Sequence, residues 1–112
     1  MTRRNKYNAK PAVVDGIRFA SDKEARRYSE LKLLVRAGEI SQLVPHPVFE
    51  FIIEGKPVKM RNGQTAKYTA DFQYLKNGEV VVEDVKGYKI TDDYRLRRAL
   101  VKHLYGVEIK EV

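Results

Sequence analysis

Along the chain the spacing of apolar positions switches between helical and alternating periods, and each switch marks an element. The first ten residues, "MTRRNKYNAK", are polar and basic, and read as an arm or an early extended segment. "SDKEARRYSELKLLVRAGE" follows with a helical stripe of Glu24, Tyr28, Leu31 and Val35. Ser21 is its N-cap, Ser21 and Glu24 stand at capping-box spacing, and Gly38 is the stop. "PVFEFII" alternates like a strand, and "GKPVKMRNGQTAKY" carries the turn signal Asn62-Gly63 of a hairpin or long loop. "KYTADFQYLKNGEVVVEDVKG" is the best hairpin signal, two β-rich runs about Asn77-Gly78. "TDDYRLRRALVKHLYG" predicts a second helix from Thr91 to Gly106, and "VEIKEV" a last strand. This order predicts an α/β (α+β) fold, a small mixed β-sheet flanked by helices, in one domain spanning residues 1–112.

The run "VVVEDVKG" holds the chemistry, because an apolar strand ending in acids and a lysine must stabilise those charges. Counting outward from Asn77-Gly78 pairs Lys76 with Glu79, Tyr74 with Val81, Phe72 with Glu83, Asp71 with Asp84 and Thr69 with Lys86. Two carboxylates, Asp71 and Asp84, then stand side by side and call for a counter-ion or a raised carboxyl pKa. A hard divalent cation meets that need, and magnesium suits two carboxylates whose remaining partners are water and phosphate oxygens. Strand parity puts Asp84, Lys86 and Asp71 on one face and Glu83 on the other with Phe72 and Tyr74, although a bulge would reverse the two acids.

Glu24 adds a third acid, pointing toward the protein from the first turn of its helix. The competing structural reading is that it only closes the capping box with Ser21. The strand-end charges have their own bland reading as a solvated salt-bridge cluster. Arg95, Arg98 and Lys102 fall on one stripe of the second helix, opposite Leu96, Leu100 and Leu104. Such a stripe is ordinarily a solvated face and, beside a metal site, becomes a phosphate track. His46 and His103 read as a loop residue and a helix-face residue rather than catalysts.

Composition narrows the classes. The 112 residues are 43% hydrophobic, enough for one core. Cysteine is absent, which removes disulfide and thiolate sites, and no apolar run approaches a membrane span or a signal peptide, so a cytoplasmic protein without a membrane partner is expected. The net charge of +7 points to an anionic partner, with nucleic acid foremost. Residues 1 to 40 hold ten Lys or Arg against five acids.

"GIRFASDKEARRYSELKLL", "YTADFQYL" and "VVVEDVKG", followed by a basic helix and a last strand, resemble the PD-(D/E)XK nucleases. More narrowly they are similar to a family of small phage-associated proteins of that superfamily, long catalogued as a domain of unknown function. The resemblance runs from about Lys6 to Val112 and implies a restriction-endonuclease-like core. Position by position it implies Asp71 as the first motif's aspartate, Asp84 and Lys86 as the (D/E)-X-K, and Glu24 as the acid of the first helix. Ala70 stands where the superfamily's motif has proline, and Glu83 doubles the acid as a rival ligand.

The implied activity is metal-dependent hydrolysis of a DNA phosphodiester, on branched DNA such as junctions or flaps if the phage resemblance extends to biology. Asp71, Asp84, the Val85 carbonyl and Glu24 would hold Mg²⁺ or Mn²⁺, and Lys86 would position the attacking water. Lys6 in the basic arm, with Arg95, Arg98 and Lys102, would grip the DNA backbone. Phage origin would place the protein in the cytoplasm of a bacterial host, and junction resolution, needing two cuts, would favour a homodimer; Val48, Phe49 and Phe51 are apolar candidates for its interface but read first as core residues. The alternatives are a DNA-binding module with a nuclease-like fold that does not cut, and a purely structural domain.

Overall fold

The computed structural model describes residues 10–86 and 90–112. A short hairpin comes first: β1 (Ala12–Val14) pairs antiparallel with β2 (Ile17–Phe19). It turns at Asp15-Gly16, both with positive φ, a two-residue signal that also stands in the sequence. Helix α1 (Asp22–Arg36) follows. Ser21 caps it as expected, with its Oγ accepting the Glu24 N–H at 3.1 Å. At the far end Gly38, at φ 78°, lets the chain turn out of the helix, where the Glu39 N–H returns to the Leu34 carbonyl at 2.9 Å.

The central sheet has four strands in the order β10, β9, β8, β3, where β3 is Ser41–Pro45, β8 Phe72–Lys76, β9 Glu79–Asp84 and β10 Ile109–Glu111. β10 runs parallel to β9 and the other pairings are antiparallel, so the sheet is mixed. The fold is therefore a small α+β domain with helices against a mixed sheet. The hairpin register about Asn77-Gly78 is the expected one, from Lys76–Glu79 to Phe72–Glu83.

Beyond Phe72 the expected register does not continue, and Thr69 pairs with Val48 instead of facing Lys86. On its other edge this part of the chain has a second antiparallel partner, which continues past Phe72. Residues 41–50 form one long ribbon with residues 67–75, split into β3 with β8 and β4 (Val48–Glu50) with β7 (Lys67–Thr69). The same count holds on both sides of the split, Pro45 against Phe72 and Val48 against Thr69, so His46 stands opposite Asp71 and Pro47 opposite Ala70. Two backbone bonds bridge the gap, His46 N–H to the Asp71 carbonyl at 2.9 Å and Ala70 N–H to the Pro47 carbonyl at 3.0 Å. His46, at φ 53°, is in the left-handed region, and Pro47 has no N–H to give.

The "GKPVKMRNGQTAKY" stretch is a hairpin excursion from this ribbon. β5 (Ile52–Ile53) and β6 (Lys56–Pro57) pair first, and a tighter turn follows in which Gly63 donates to the Met60 carbonyl at 2.9 Å.

Helix α2 (Asp92–Tyr105) is capped by Thr91, whose hydroxyl accepts the Tyr94 N–H at 3.1 Å, and ends at Gly106 at φ 68°. Its expected apolar row needs correcting. Tyr94 and Val101 are the buried positions, whereas Leu96 is 62% exposed. The helix has rotated so that the bulky Tyr94 and the branched Val101 meet the sheet, and Leu100 and Leu104 sit at the margin.

Two cores result, one on each face of the sheet. Phe19, Tyr28, Leu31, Phe72 and Tyr74 pack under α1, and Phe49, Phe51, Val82, Val101 and Ile109 pack under α2. Phe49 and Phe51 are thus interior residues, while Val48 is exposed. Among the described residues no helix is long and apolar enough to cross a membrane.

Candidate active site

β9 carries its residues alternately to the two cores, and this alternation separates the two adjacent acids. Glu83 has no exposure and faces α1, as the parity argument expected. Arg27 grips it bidentately, Nε to Oε1 at 2.8 Å and Nη2 to Oε2 at 2.7 Å, and the Tyr74 hydroxyl donates to Oε2. Burial pushes the Glu83 carboxyl up, but the bonds from Arg27 and Tyr74 outweigh it and hold the group below the usual carboxylate range. Burial raises the Tyr74 phenol to about 12, helped by the carboxylate beside it. Both oxygens of Glu83 are thus taken up by Arg27 and Tyr74 inside the fold.

Asp84 faces the other way and is 2% exposed. Its Oδ2 accepts the Tyr68 hydroxyl and lies 3.5 Å from Lys86 Nζ, and its Oδ1 accepts the Asp71 N–H at 3.1 Å. Asp71 Oδ2 in turn accepts the Val85 N–H at 2.7 Å. Val85 touches the site through its N–H, which is committed to Asp71, whereas the expectation concerned its carbonyl. The two aspartates are adjacent where β8 and β9 part, in the place the hairpin count assigned them.

Glu24 approaches Asp71 from the α1 side. It is 7% exposed, and its carboxylate is turned to His46, with Oε1 3.2 Å from Nε2, not back to the cap. Glu24, His46 and Asp71 line one open cleft of about 500 Å³ with Arg18, Phe19, Ala20 and Pro11. Asp71 is the shared member of the constellation, in the cleft with Glu24 and bonded to Asp84. Burial pushes its carboxyl up to about 7, and the charges of Glu24 and Asp84 add to the rise against the opposing Val85 bond and Lys86 charge. The raised carboxyl is that of Asp71, and burial and Glu24 both raise it more than the charge of Asp84 on which the register argument relied.

The three acids form a row around the broken sheet end. Among the described residues no group of three His, Cys, Asp or Glu side chains is placed to hold a metal ion by itself. Asp71 and Asp84 are the adjacent carboxylates at this point, and both oxygens of Asp84 and the Oδ2 of Asp71 are engaged by hydrogen bonds within the chain.

Lys86 is fixed twice, by Asp84 and by the Tyr94 ring, whose centroid is 3.6 Å from Nζ. Its backbone is tied as well: the carbonyl accepts from Lys23 Nζ at 2.6 Å and the N–H reaches the Val112 carbonyl at 3.2 Å. Burial raises the Tyr68 and Tyr94 phenols strongly, so both remain proton donors, to Asp84 and Glu111 respectively.

The α2 cations each have an acidic partner. Arg95 pairs with Asp92, Arg98 with Glu108 and Glu111, and Lys102 with Glu108. Lys6 lies outside the described residues.

Four contributors to the site were not legible beforehand. His46, Arg18, Tyr68 and Tyr94 arrive through the ribbon break, the first hairpin and the rotation of α2. Only the Asp15-Gly16 turn beside Arg18 left a signal in the sequence.

A family model described as a protein of unknown function, DUF1064, matches residues 4–111. Neither the curated proteins nor the solved structures contain a match.

Proposed function

The chain belongs to the DUF1064 family, and we propose that it is a metal-dependent deoxyribonuclease of the PD-(D/E)XK type. The observation that carries this reading is the junction of β8 and β9. Asp71 and Asp84 are fixed there against each other by backbone N–H groups, and Asp71 is pushed up to about 7 because Glu24 and Asp84 add negative charge to a poorly solvated place. Such an excess of carboxylate is costly unless a cation offsets it. The motif resemblance supports the same positions, "TAD" for the first aspartate and "DVK" for the acid and lysine.

Asp71 and Asp84 would hold Mg²⁺ or Mn²⁺, with the Val85 backbone and Glu24 completing the site. When bound, such an ion supplies polarisation of a phosphoryl oxygen and a lowered pKa of water. The chain's own groups do the rest. Tyr68 and the Asp71 N–H hold Asp84 in one rotamer, so its position survives the approach of a phosphate. His46 orients Glu24 in the cleft. Lys86 Nζ, pinned over Tyr94 beside Asp84, places N–H donors where charge develops on phosphorus and where an attacking water would stand. The double restraint suits positioning better than proton abstraction.

The test is cleavage of end-labelled single-stranded, duplex, flap and four-way-junction DNA with EDTA, Mg²⁺ or Mn²⁺, comparing wild type with Asp84→Ala. Metal-dependent cutting that disappears in the variant is the expected result, and the panel names the preferred DNA shape. DNA that shifts on a native gel but is never cut under any metal overturns the nuclease reading and leaves a binding module.

A further inference from the structure

The positive charge of the molecule is used differently on its two helices. Along α2 every arginine and the one lysine is engaged by an acid. Arg95 lies 2.9 Å from Asp92, Arg97 3.0 Å from Asp93, Arg98 3.3 Å from Glu111, and Lys102 2.9 Å from Glu108. Four cations face four carboxylates, so the field of this helix is largely cancelled within a Debye length.

At the junction of β2 and α1 the balance is different. Arg18, Lys23 and Arg26 are all exposed, and among the described residues none of them is in a salt bridge. Arg18 lines the cleft that holds Glu24, His46 and Asp71. Lys23 and Arg26 line a second cleft, of about 300 Å³, against Val85 at the other side of the catalytic strand's end. Lys23 is anchored there by its bond to the Lys86 carbonyl. Asp22, the exposed acid of this turn, lines a third cleft with Ala12, Val14 and Arg26, and Glu30, which is paired with Arg27, lines the second with Lys23 and Arg26.

We infer that the DNA strand is held over the β2–α1 junction and not along α2: Arg18 takes a backbone phosphate beside the scissile one inside the Glu24–Asp71 cleft, and Lys23 and Arg26 take phosphates on the other side. This placement rests on the nuclease reading for its scissile position. Physically, a polyanion approaching three carboxylates meets repulsion that only nearby unspent cations can offset. The junction supplies them on both flanks of Glu24, and α2 has already committed its own. The cleft is also of the size that accepts a small ligand, which suits the sugar and phosphate of one nucleotide.

The test is fluorescence anisotropy of labelled single-stranded, duplex and junction DNA, in EDTA and again in Ca²⁺, across salt from about 50 to 200 mM. Four proteins are compared: wild type, Arg18→Ala, Lys23→Ala with Arg26→Ala, and Arg95→Ala with Lys102→Ala, all changes at exposed positions. Loss of Arg18 is expected to weaken binding about 5- to 10-fold and lower the salt slope by about 1, the Lys23 and Arg26 pair to lower it by about 2, and the α2 pair to change affinity less than about 2-fold. The inference is overturned if the α2 pair flattens the slope while the junction variants bind like wild type, or if wild type binds none of the DNAs. DNA held through the junction but left uncut in Mg²⁺ or Mn²⁺ overturns the nuclease reading alone.

Discussion

Glu83 and Asp84 are neighbours on one strand, both buried, and are treated in opposite ways. On the α1 side, Glu83 meets a bidentate arginine and a phenol, and its charge is neutralised inside the fold. On the α2 side, Asp84 meets a phenol, a backbone N–H and a lysine 3.5 Å away, with Asp71 beside it and Glu24 beyond. The contrast teaches that burial of an acid does not mark function. What separates the two acids is the compensation each receives: Glu83 has a bidentate guanidinium to itself, and Asp84 shares its surroundings with a second carboxylate, Asp71.

The largest expected effect lies on the open side. Asp84→Asn keeps the Tyr68 contact and removes the charge, and DNA cleavage should fall by more than about 100-fold, beyond what loss of a merely supporting group costs. Thermal unfolding of the same variant should be no less cooperative than that of wild type. Measuring both on one preparation breaks the comparison if cleavage persists. On the closed side the effect is one of stability. Glu83→Gln removes the buried partner of Arg27 and should cost about 3 kcal/mol in urea unfolding, the lower end for a broken buried pair because Arg27 keeps about a quarter of its side chain in solvent and retains Glu30 at 2.9 Å.

The two acids should also carry opposite pH signatures. Asp71 has a folded pKa near 7 against an ordinary 3.8, so the folded state binds its proton more tightly. Its contribution to stability is complete below 3.8 and is lost as pH rises through 7. Glu83 is held below 4.5, so its contribution is present above that value and lost as pH falls through the folded pKa. Melting temperature against pH in EDTA should therefore decline from about pH 4 to 7, by an amount on the order of 2 kcal/mol after allowance for solvent at Asp71. Asp71→Asn should flatten that decline, and Mg²⁺ should raise the melting temperature most near pH 7. A wild-type profile that is flat in EDTA would contradict the charge deficit. The smallest effect belongs to the surface of α2, where Arg95→Ala should change stability by less than about 0.5 kcal/mol, since exposed i,i+3 pairs contribute little.

How much of this was legible follows from the range of the interactions. The caps at Ser21 and Thr91, the stops at Gly38 and Gly106 and the hairpin at Asn77-Gly78 act within a few residues, and each stood where the sequence placed it. The separation of Glu83 from Asp84 was legible too, because strand parity is local once a turn is known. The Asp15-Gly16 hairpin carries the same kind of signal, although the stretch between the ten-residue arm and the first helix is given no element of its own. His46 had no such signal: it meets Asp71 only because residues 41–50 pair with residues 67–75 across an intervening excursion. The acids that Arg98 meets near the last strand, Glu108 and Glu111, were not legible either, since helical spacing shows which charges align and not which distant acids will meet them.

By itself, then, the sequence determined the two capped helices, the central hairpin with its register, and the adjacency of Asp71 and Asp84, because turn geometry and side-chain period propagate along a single local element. Tertiary structure decided that Arg27 would neutralise Glu83, that Glu24 would turn to His46 beside Asp71, and that the unspent cations would lie at Arg18, Lys23 and Arg26. Those outcomes depend on which distant groups packing brings within a few ångströms, and electrostatic compensation is set by that proximity and not by order along the chain.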